Sequence, residues 1–438
     1  MSKEEVEREK EKGIVISKSN ILFYNNDQLK EKYCYYSKDN LCSRNFPTTS
    51  SCNFLIDFQP GYDSFAIRQL EKKGYILLGK TVLDELSCGG TGLLANSGAL
   101  YHPIDNKHIV GGSSSGSALV VKQNLVPFSL ASDTGGSIRV PAAYCGILGF
   151  KPSYGSISRS GLIPYCTLLD TVGVLSNDLE ILKEVFTALI ERKDGNDLWT
   201  SFKRKRELVL KKRLADQKIA IVEGIEKYLS KEYLNIYNKL LEKLEKIGYQ
   251  IVSVTIPSFI KKNLSIGWII VCFSELVSHL NCLQGVTFGV KDSQMTVKEK
   301  RTKFLNSVVR KRILLGSYFL KRPKKMLEVY HWRQETEGWI KSLFKKQTFF
   351  IFPTTITESP LATEDTFLSL GNKNHWSDNL TLLSNLTHIP SINLPLGLVN
   401  NLPVGICINA NQEEEDKIFK LSEEIINSLE KNNPKIDF

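Results

Sequence analysis

Two glycine-rich stretches each carry a serine that could serve as a nucleophile. They are Gly111-Gly112-Ser113-Ser114-Ser115-Gly116-Ser117 and Ser132-Asp133-Thr134-Gly135-Gly136-Ser137-Ile138-Arg139. Glycine lets neighbouring backbone come close and lets several N–H groups converge on one point. A serine so placed has what acyl transfer needs, an alcohol beside donors for a developing oxyanion. The run of small residues before Ser137 gives consecutive N–H groups a chance to face such an oxygen. The alcohol also needs a base, and Ser37-Lys38-Asp39-Asn40 offers Lys38. A lysine, a bridging serine and a second serine can do the work of a serine, a histidine and an aspartate. The condition is that burial or neighbours bring the amine's pKa toward neutrality. The apolar or small residues Cys34-Tyr35-Tyr36-Ser37 suit a buried approach to Lys38.

The same residues have other uses. Ser113, at a glycine-rich helix entry, would make a good N-cap, and such a loop can cradle phosphate. Gly116, however, is followed by Ser117-Ala118 and not by the lysine of a phosphate-binding loop. No metal is expected, because none of the six histidines forms a spaced pair suited to one. His102 and His108 lie in a Pro/Asp/Asn-rich loop and are expected at the surface. A Gly-x-Ser-x-Gly elbow is also lacking.

These loops must be held by a framework. Arg68 to Lys73 reads as a helix end, with Gly74 in the C′ position, and Tyr75 to Thr81 as a short buried strand. The rhythm returns at Leu240 to Ile247, Gly248, and Tyr249 to Val254. Further strands are expected at Lys218–Val222, Phe349–Pro353, Pro390–Pro395 and Pro403–Ile408, and a closing amphipathic helix over 413–432. Alternating helices and buried strands predict a layered α/β fold. We expect a leader over 1–13 and a single domain over 14–438. Within it, 14–190 would be the catalytic core, 191–345 a helix-rich basic insertion region, and 346–438 a return to the sheet.

Composition narrows the class. Of 438 residues, 42% are hydrophobic and 24% charged, which is ordinary for a globular protein with a sizeable core. The net charge of +10 fits contact with something acidic, and equally a composition rich in lysine throughout. Nine cysteines, an odd number without a C-x-x-C pair, predict reduced thiols in an intracellular protein. The charged first ten residues resemble neither a secretory signal nor a standard mitochondrial presequence. The most apolar window, Ile266 to Phe273, is shorter than the roughly 20 residues a membrane span needs. A soluble protein without a span is expected.

The run from Ser132 to Ala142, continuing through Tyr144-Cys145-Gly146-Ile147-Leu148-Gly149-Phe150-Lys151-Pro152-Ser153-Tyr154-Gly155, closely resembles the amidase signature family. The likeness is strong over about 33–185 and weaker over 218–430. It implies an amidase signature fold, a central mixed β-sheet covered by helices on both faces. It also implies that Lys38, Ser113 and Ser137 form the catalytic triad, with Ser113 following a cis peptide and Thr134, Gly135 and Gly136 helping Ser137 to hold the oxyanion.

At Lys107 to Gly112 and Phe150 to Tyr154 the wording is nearest to fungal mitochondrial members of the family. Within the family the chain is most similar to the branch that hydrolyses glutamine to supply ammonia for amidating Glu-tRNA(Gln). Phe46-Pro47-Thr48-Thr49, Gly79 to Glu85 and Ser156 to Tyr165 carry that likeness, as does Leu168-Leu169-Asp170-Thr171-Val172-Gly173. The resemblance implies that Arg312, in Lys311-Arg312-Ile313-Leu314-Leu315-Gly316, grips the α-carboxylate of glutamine, and that Asp378 receives its α-ammonium. It implies no cofactor in this chain. ATP and Mg2+ would be used by a larger partner, the tRNA-binding kinase and transamidase, and a small third subunit would complete a heterotrimer. A mitochondrial matrix location follows, with a bacterial cytoplasm as the alternative. A free-standing amidase for another small amide, or an RNA-binding scaffold on an inactive fold, are the rival functions. Two departures stand out: Ser115 replaces a usual glycine, and Leu283-Gln284-Gly285 replaces a tyrosine-aspartate-glycine turn.

Overall fold

The computed structural model describes residues 15–18, 33–200, 217–282, 289–363 and 376–430. The leader expected over 1–13, the basic stretch 203–213 and Leu283-Gln284-Gly285 lie outside them.

The first half builds β1 (Val15–Lys18), β2 (Cys34–Lys38), α1 (Phe65–Lys72), β3 (Ile76–Thr81), α2 (Ser115–Lys122), β4 (Phe128–Asp133), α3 (Arg139–Cys145), β5 (Leu148–Lys151), β6 (Thr171–Ser176) and α4 (Leu179–Ile190). Then come β7 (Lys218–Val222), α5 (Lys231–Ile247), β8 (Gln250–Val254), α6 (Ser258–Leu280), α7 (Val297–Phe304), α8 (Ser307–Leu320) and α9 (Pro323–Lys346). β9 (Phe349–Pro353), α10 (Thr381–Leu386), β10 (Ser391–Val399), β11 (Leu402–Asn409) and α11 (Glu415–Glu430) complete the described chain.

Local chemistry sets the helix ends. Ser64 caps α1 by accepting from Ile67 N–H, and Gly74 follows with φ 82°. Ser230 caps α5 in the same way through Tyr233 N–H, and Gly248 ends it with φ 115°. Each glycine takes the left-handed turn that releases the chain into the next strand, β3 or β8.

The strands join one mixed sheet in the order β1-β3-β2-β4-β6-β5-β10-β11-β9-β7-β8. β3, β2 and β4 are mutually parallel at one side, and β9, β7 and β8 at the other, with antiparallel pairs between them. Successive strand residues point to opposite faces, and both faces are buried. Tyr35, Leu130 and Val174 enter one apolar cluster, with Phe186 of α4 and Phe419 of α11. Their neighbours Tyr36, Ala131 and Leu175 enter a second, with Leu119 and Val120 of α2 and Ala142 of α3. Helices therefore cover both faces of the central strands.

Two expectations need correction. The apolar window Ile266 to Phe273 is part of a 23-residue helix, α6, which is long and apolar enough to cross a membrane by length and composition. Its Ile260, Leu264, Val271, Phe273 and Leu276 instead pack into the core. His102 is not at the surface but buried, 2% exposed. Its Nδ1 accepts from Ile104 N–H, which leaves the proton on Nε2 to be donated to Tyr144 O at 2.7 Å. The imidazole thus ties the loop to α3, a task that a Pro/Asp/Asn-rich composition does not announce.

Candidate active site

The site gathers at the carboxyl ends of the parallel strands β3, β2 and β4, where the last strand residues and the loops that follow present side chains together. Lys38 is the last residue of β2, and Ser132 and Asp133 end the adjacent β4. Ser137 lies in the loop from β4 to α3, and Ser113 in the loop entering α2. The Gly112–Ser113 peptide is cis.

Lys38 is fully buried, and its Nζ lies 2.9 Å from Ser113 Oγ, 3.1 Å from Ser132 Oγ and 3.3 Å from Ser132 O. Burial drives its pKa down to about 7, although the carboxylates of Asp133, Asp84 and Asp170 pull the other way. The next residue, Asp39, is paired elsewhere. It accepts from Lys80 Nζ at 3.0 Å and from Thr49 N–H and Oγ1 at 2.9 and 2.6 Å. Asp39 opens the turn after β2, and its charge is matched by Lys80. Asn40 Nδ2 donates to the Ser132 hydroxyl at 2.8 Å and fixes it under the lysine.

The Ser137 loop is shaped by Asp133. Its carboxylate accepts from Gly136 N–H at 2.7 Å, from Ile138 N–H at 3.0 Å, and from Arg139 Nε and Nη2, both at 3.0 Å. Burial alone would raise the carboxyl pKa; the fully buried Arg139 guanidinium overrides this and holds it below the ordinary carboxylate range. Arg139 is tied in turn to Asn385 Oδ1 at 2.7 Å and, through Nη1, to Ser384. One expectation is narrowed by this network. The Gly136 N–H is already committed to Asp133, so Thr134, Gly135 and Ser137 are the remaining members of the fourfold donor set that the resemblance implies. Thr134 is anchored by its side chain, which donates to Asp170 Oδ1 at 2.6 Å. Burial lifts the Asp170 pKa to about 6.

Ser113 and Ser137 are brought onto neighbouring loops, which are joined by a bond from Ser114 N–H to Ser137 O at 3.2 Å. Ser137 opens onto a cavity of about 130 Å3 that Gly112, Gly135, Gly136, Tyr165, Trp268, Arg312 and Asp378 also line. Arg312, on the inner face of α8, is 1% exposed. Its Nη1 donates to Tyr165 OH at 2.7 Å, and its guanidinium carbon is 5.1 Å from the Phe273 ring centre. Asp378 comes from a short 3-10 turn, Trp376–Asn379, that precedes α10. A second cavity, lined by residues such as Asn177, Asp178 and Glu423, contains none of these groups, so the chemistry belongs to the one at Ser137. Among the described residues no group of three or more His, Cys, Asp or Glu is placed to hold a metal ion.

Ser115, the departure from the usual glycine, is buried, and the space opposite it is left by Gly92. A Cβ added at Gly92 would lie 3.0 Å from Ser115 Cβ, so this serine is accommodated by a glycine on the facing loop. The sequence does not single out Ser132 as a site residue, nor Lys80 or Trp268. Lys80 and Ser132 stand inside recognisable motifs but carry no signal of their own, and Trp268 reads as one more core residue of an apolar run.

The chain also matches known proteins along most of its length. A family model described as amidase matches residues 36–419. A glutamyl-tRNA(Gln) amidotransferase subunit from Lawsonia intracellularis is 31% identical over 400 residues, covering 88% of this chain and 81% of that protein. Its mitochondrial namesake from Schizosaccharomyces pombe is 30% identical over 410 residues, covering 88% and 86%. Among solved structures, the namesake from Thermotoga maritima superposes with a TM-score of 0.77 at 24% identity, covering 94% of this chain and 86% of that one. Kluyveromyces lactis allophanate hydrolase gives 0.80 at 24% identity, covering 97% and 68%. The structural likenesses show the fold.

Proposed function

The chain belongs to the amidase family, and we propose that it is the glutamine-hydrolysing subunit of a glutamyl-tRNA(Gln) amidotransferase. The observation that carries this reading is the shared cavity of Ser137, Arg312 and Asp378. An alcohol faces the same small space as one cation and one anion, which suits an amide that ends in an α-amino acid. A guanidinium pairs with a carboxylate through two parallel hydrogen bonds, and a carboxylate receives an ammonium. An uncharged amide has no use for either. The names borne by the relatives agree with this substrate.

In the proposed reaction, neutral Lys38 accepts the Ser113 hydroxyl proton while Ser113 takes the proton of Ser137. Ser137 Oγ bonds to the side-chain amide carbon of glutamine. The N–H groups of Thr134, Gly135 and Ser137 hold the oxygen as it becomes an anion. The relayed proton returns through Ser113 to the amide nitrogen, the C–N bond breaks and ammonia leaves. Water, deprotonated by the same relay, then cleaves the γ-glutamyl ester to give glutamate and free Ser137. The chain needs no cofactor for these steps.

We further propose that ammonia passes to a larger partner, a kinase and transamidase that binds Glu-tRNA(Gln) and uses ATP and Mg2+, and that a small third subunit completes a heterotrimer. The relatives are named as parts of an amidotransferase, which supports an assembly. We assign the chain to the mitochondrial matrix, in keeping with the fission-yeast relative and the net charge of +10, with a bacterial cytoplasm as the alternative. Residues 14–438 are proposed as one domain, since strands from both halves enter one sheet.

The test is substrate preference in the assembled complex. Glutamine should be hydrolysed at least about a hundredfold faster, as kcat/KM, than a simple aliphatic amide without α-substituents. Equal rates would favour the free-standing amidase.

A further inference from the structure

We infer that Trp268 is a positioning residue for catalysis, one that sets the direction of the Gly135 N–H. The inference rests on the reading of Ser137 as nucleophile with Gly135 among its oxyanion donors.

Trp268 lies on α6, is 6% exposed, and lines the same cavity as Ser137. Its indole Nε1–H donates to the Thr134 carbonyl oxygen at 3.0 Å. That carbonyl and the Gly135 N–H belong to one peptide unit. The unit is planar and trans, since the cis bond found among the described residues is Gly112–Ser113. In a trans peptide the C=O and N–H point in opposite directions. An indole that holds the carbonyl toward α6 therefore holds the Gly135 N–H on the other side.

The ring also lies close to this glycine. A Cβ built on Gly135 would stand 3.0 Å from both Cε2 and Cζ2 of Trp268 and 2.8 Å from Leu382 Cδ2, so only glycine lets this stretch of backbone lie so close to the indole. The following peptide is held independently, by Thr381 Oγ1 donating to Gly135 O at 2.9 Å and by Gly136 N–H donating to Asp133 at 2.7 Å. Two consecutive peptide units thus each have their carbonyl gripped from outside, the first by Trp268. Donation to the Thr134 carbonyl also polarises the peptide and strengthens its N–H as a donor. Tyr165 and Phe273 meet the indole edge-on, with ring centres 6.1 and 6.3 Å away, and keep it in place. A buried indole N–H needs an acceptor, and here the acceptor is the carbonyl of the peptide that carries a proposed oxyanion donor.

The experiment separates ring from N–H. In the full complex, Trp268 is replaced by phenylalanine and, separately, by 3-benzothienylalanine, which keeps the indole shape with sulfur in place of N–H. Glutamine kcat and KM and the thermal midpoint are measured beside wild type and Ser137→Ala. We expect the benzothienyl protein to keep the wild-type midpoint and a KM within about threefold, and to lose roughly 10–100-fold in kcat, part of the 10²–10³ that complete loss of an oxyanion donor costs. W268F should lose at least as much. An unchanged kcat in the benzothienyl protein overturns the inference, as does a rise in KM alone, which would make Trp268 merely a wall of the cavity. If S137A is inactive while the benzothienyl protein is fully active, this inference alone falls. Full activity in S137A would remove the nucleophile reading and this inference with it.

Discussion

Lys38 is bound twice to Ser132, through the hydroxyl at 3.1 Å and the carbonyl oxygen at 3.3 Å, while its third contact is Ser113 Oγ at 2.9 Å. Three partners suit both protonation states. An ammonium donates to all three. A neutral amine gives its two protons to Ser132 and turns its lone pair to the Ser113 hydroxyl. The geometry therefore need not change as the proton moves. Removing the Ser132 hydroxyl should leave the amine less well aimed. S132A is expected to lower kcat about tenfold, the worth of roughly one net hydrogen bond, with little change in KM, as steady-state glutamine hydrolysis will show.

The acidity of Lys38 sets the pH profile. Its base form is the neutral one, and burial places its pKa at about 7. Activity should fall as pH drops through about 7 and level off above it. Lys38→Arg carries a guanidinium that stays charged, so this variant should be inactive across the whole range. A profile of kcat against pH that is flat between about pH 6 and 8 would remove Lys38 as the base.

Arg312 is buried at the cavity wall. If it binds the α-carboxylate, Arg312→Met should raise KM for glutamine roughly 30-fold or more, with a smaller effect on kcat, because a two-pronged charged contact is lost in both ground and transition states. An amide that lacks the α-carboxylate should be hydrolysed equally by wild type and variant. That comparison separates recognition from general damage to the site.

Asp133 and Arg139 are both fully buried and bond each other while Asp133 holds the Ser137 loop. Breaking a buried pair strands a charge and typically costs about 3–5 kcal/mol. R139M should lower the urea midpoint accordingly. The sign with pH follows from the depressed carboxyl pKa of Asp133. Its stabilisation is present above the unfolded aspartate value of about 3.9 and is lost as pH falls through the lower folded value. The stability difference between wild type and R139M should therefore shrink in acid.

Much of the framework is legible because it is local. Gly74 and Gly248 end helices where the left-handed turn is needed, and the strands Lys218–Val222 and Phe349–Pro353 have the bounds that their apolar runs suggest. The strand expected at Pro390–Pro395 continues to Val399, since Pro395 meets Gly405 near a bulge in its ladder with β11 and does not end it. What stays hidden is set by distant contacts. Nothing near Trp268 in the chain points to Thr134, which lies 134 residues away. Nothing near Gly136 says that its N–H will be taken by Asp133, since the run of small residues looks equally open along its length. His102 eludes the sequence for the same reason: its partner, Tyr144 O, is contributed by another element. Single residues with strong local signals, such as Ser113 and Ser137, can be read from a chain; the groups that orient them are chosen by the fold.

The most direct measurement is ammonia release from glutamine by the purified complex, wild type against Ser137→Ala. Loss of the nucleophile should lower the rate at least ~10³–10⁴-fold, as in serine hydrolases whose nucleophile is removed, while the variant keeps its fold and its partners. Undiminished ammonia release by S137A would contradict nucleophilic catalysis at this site.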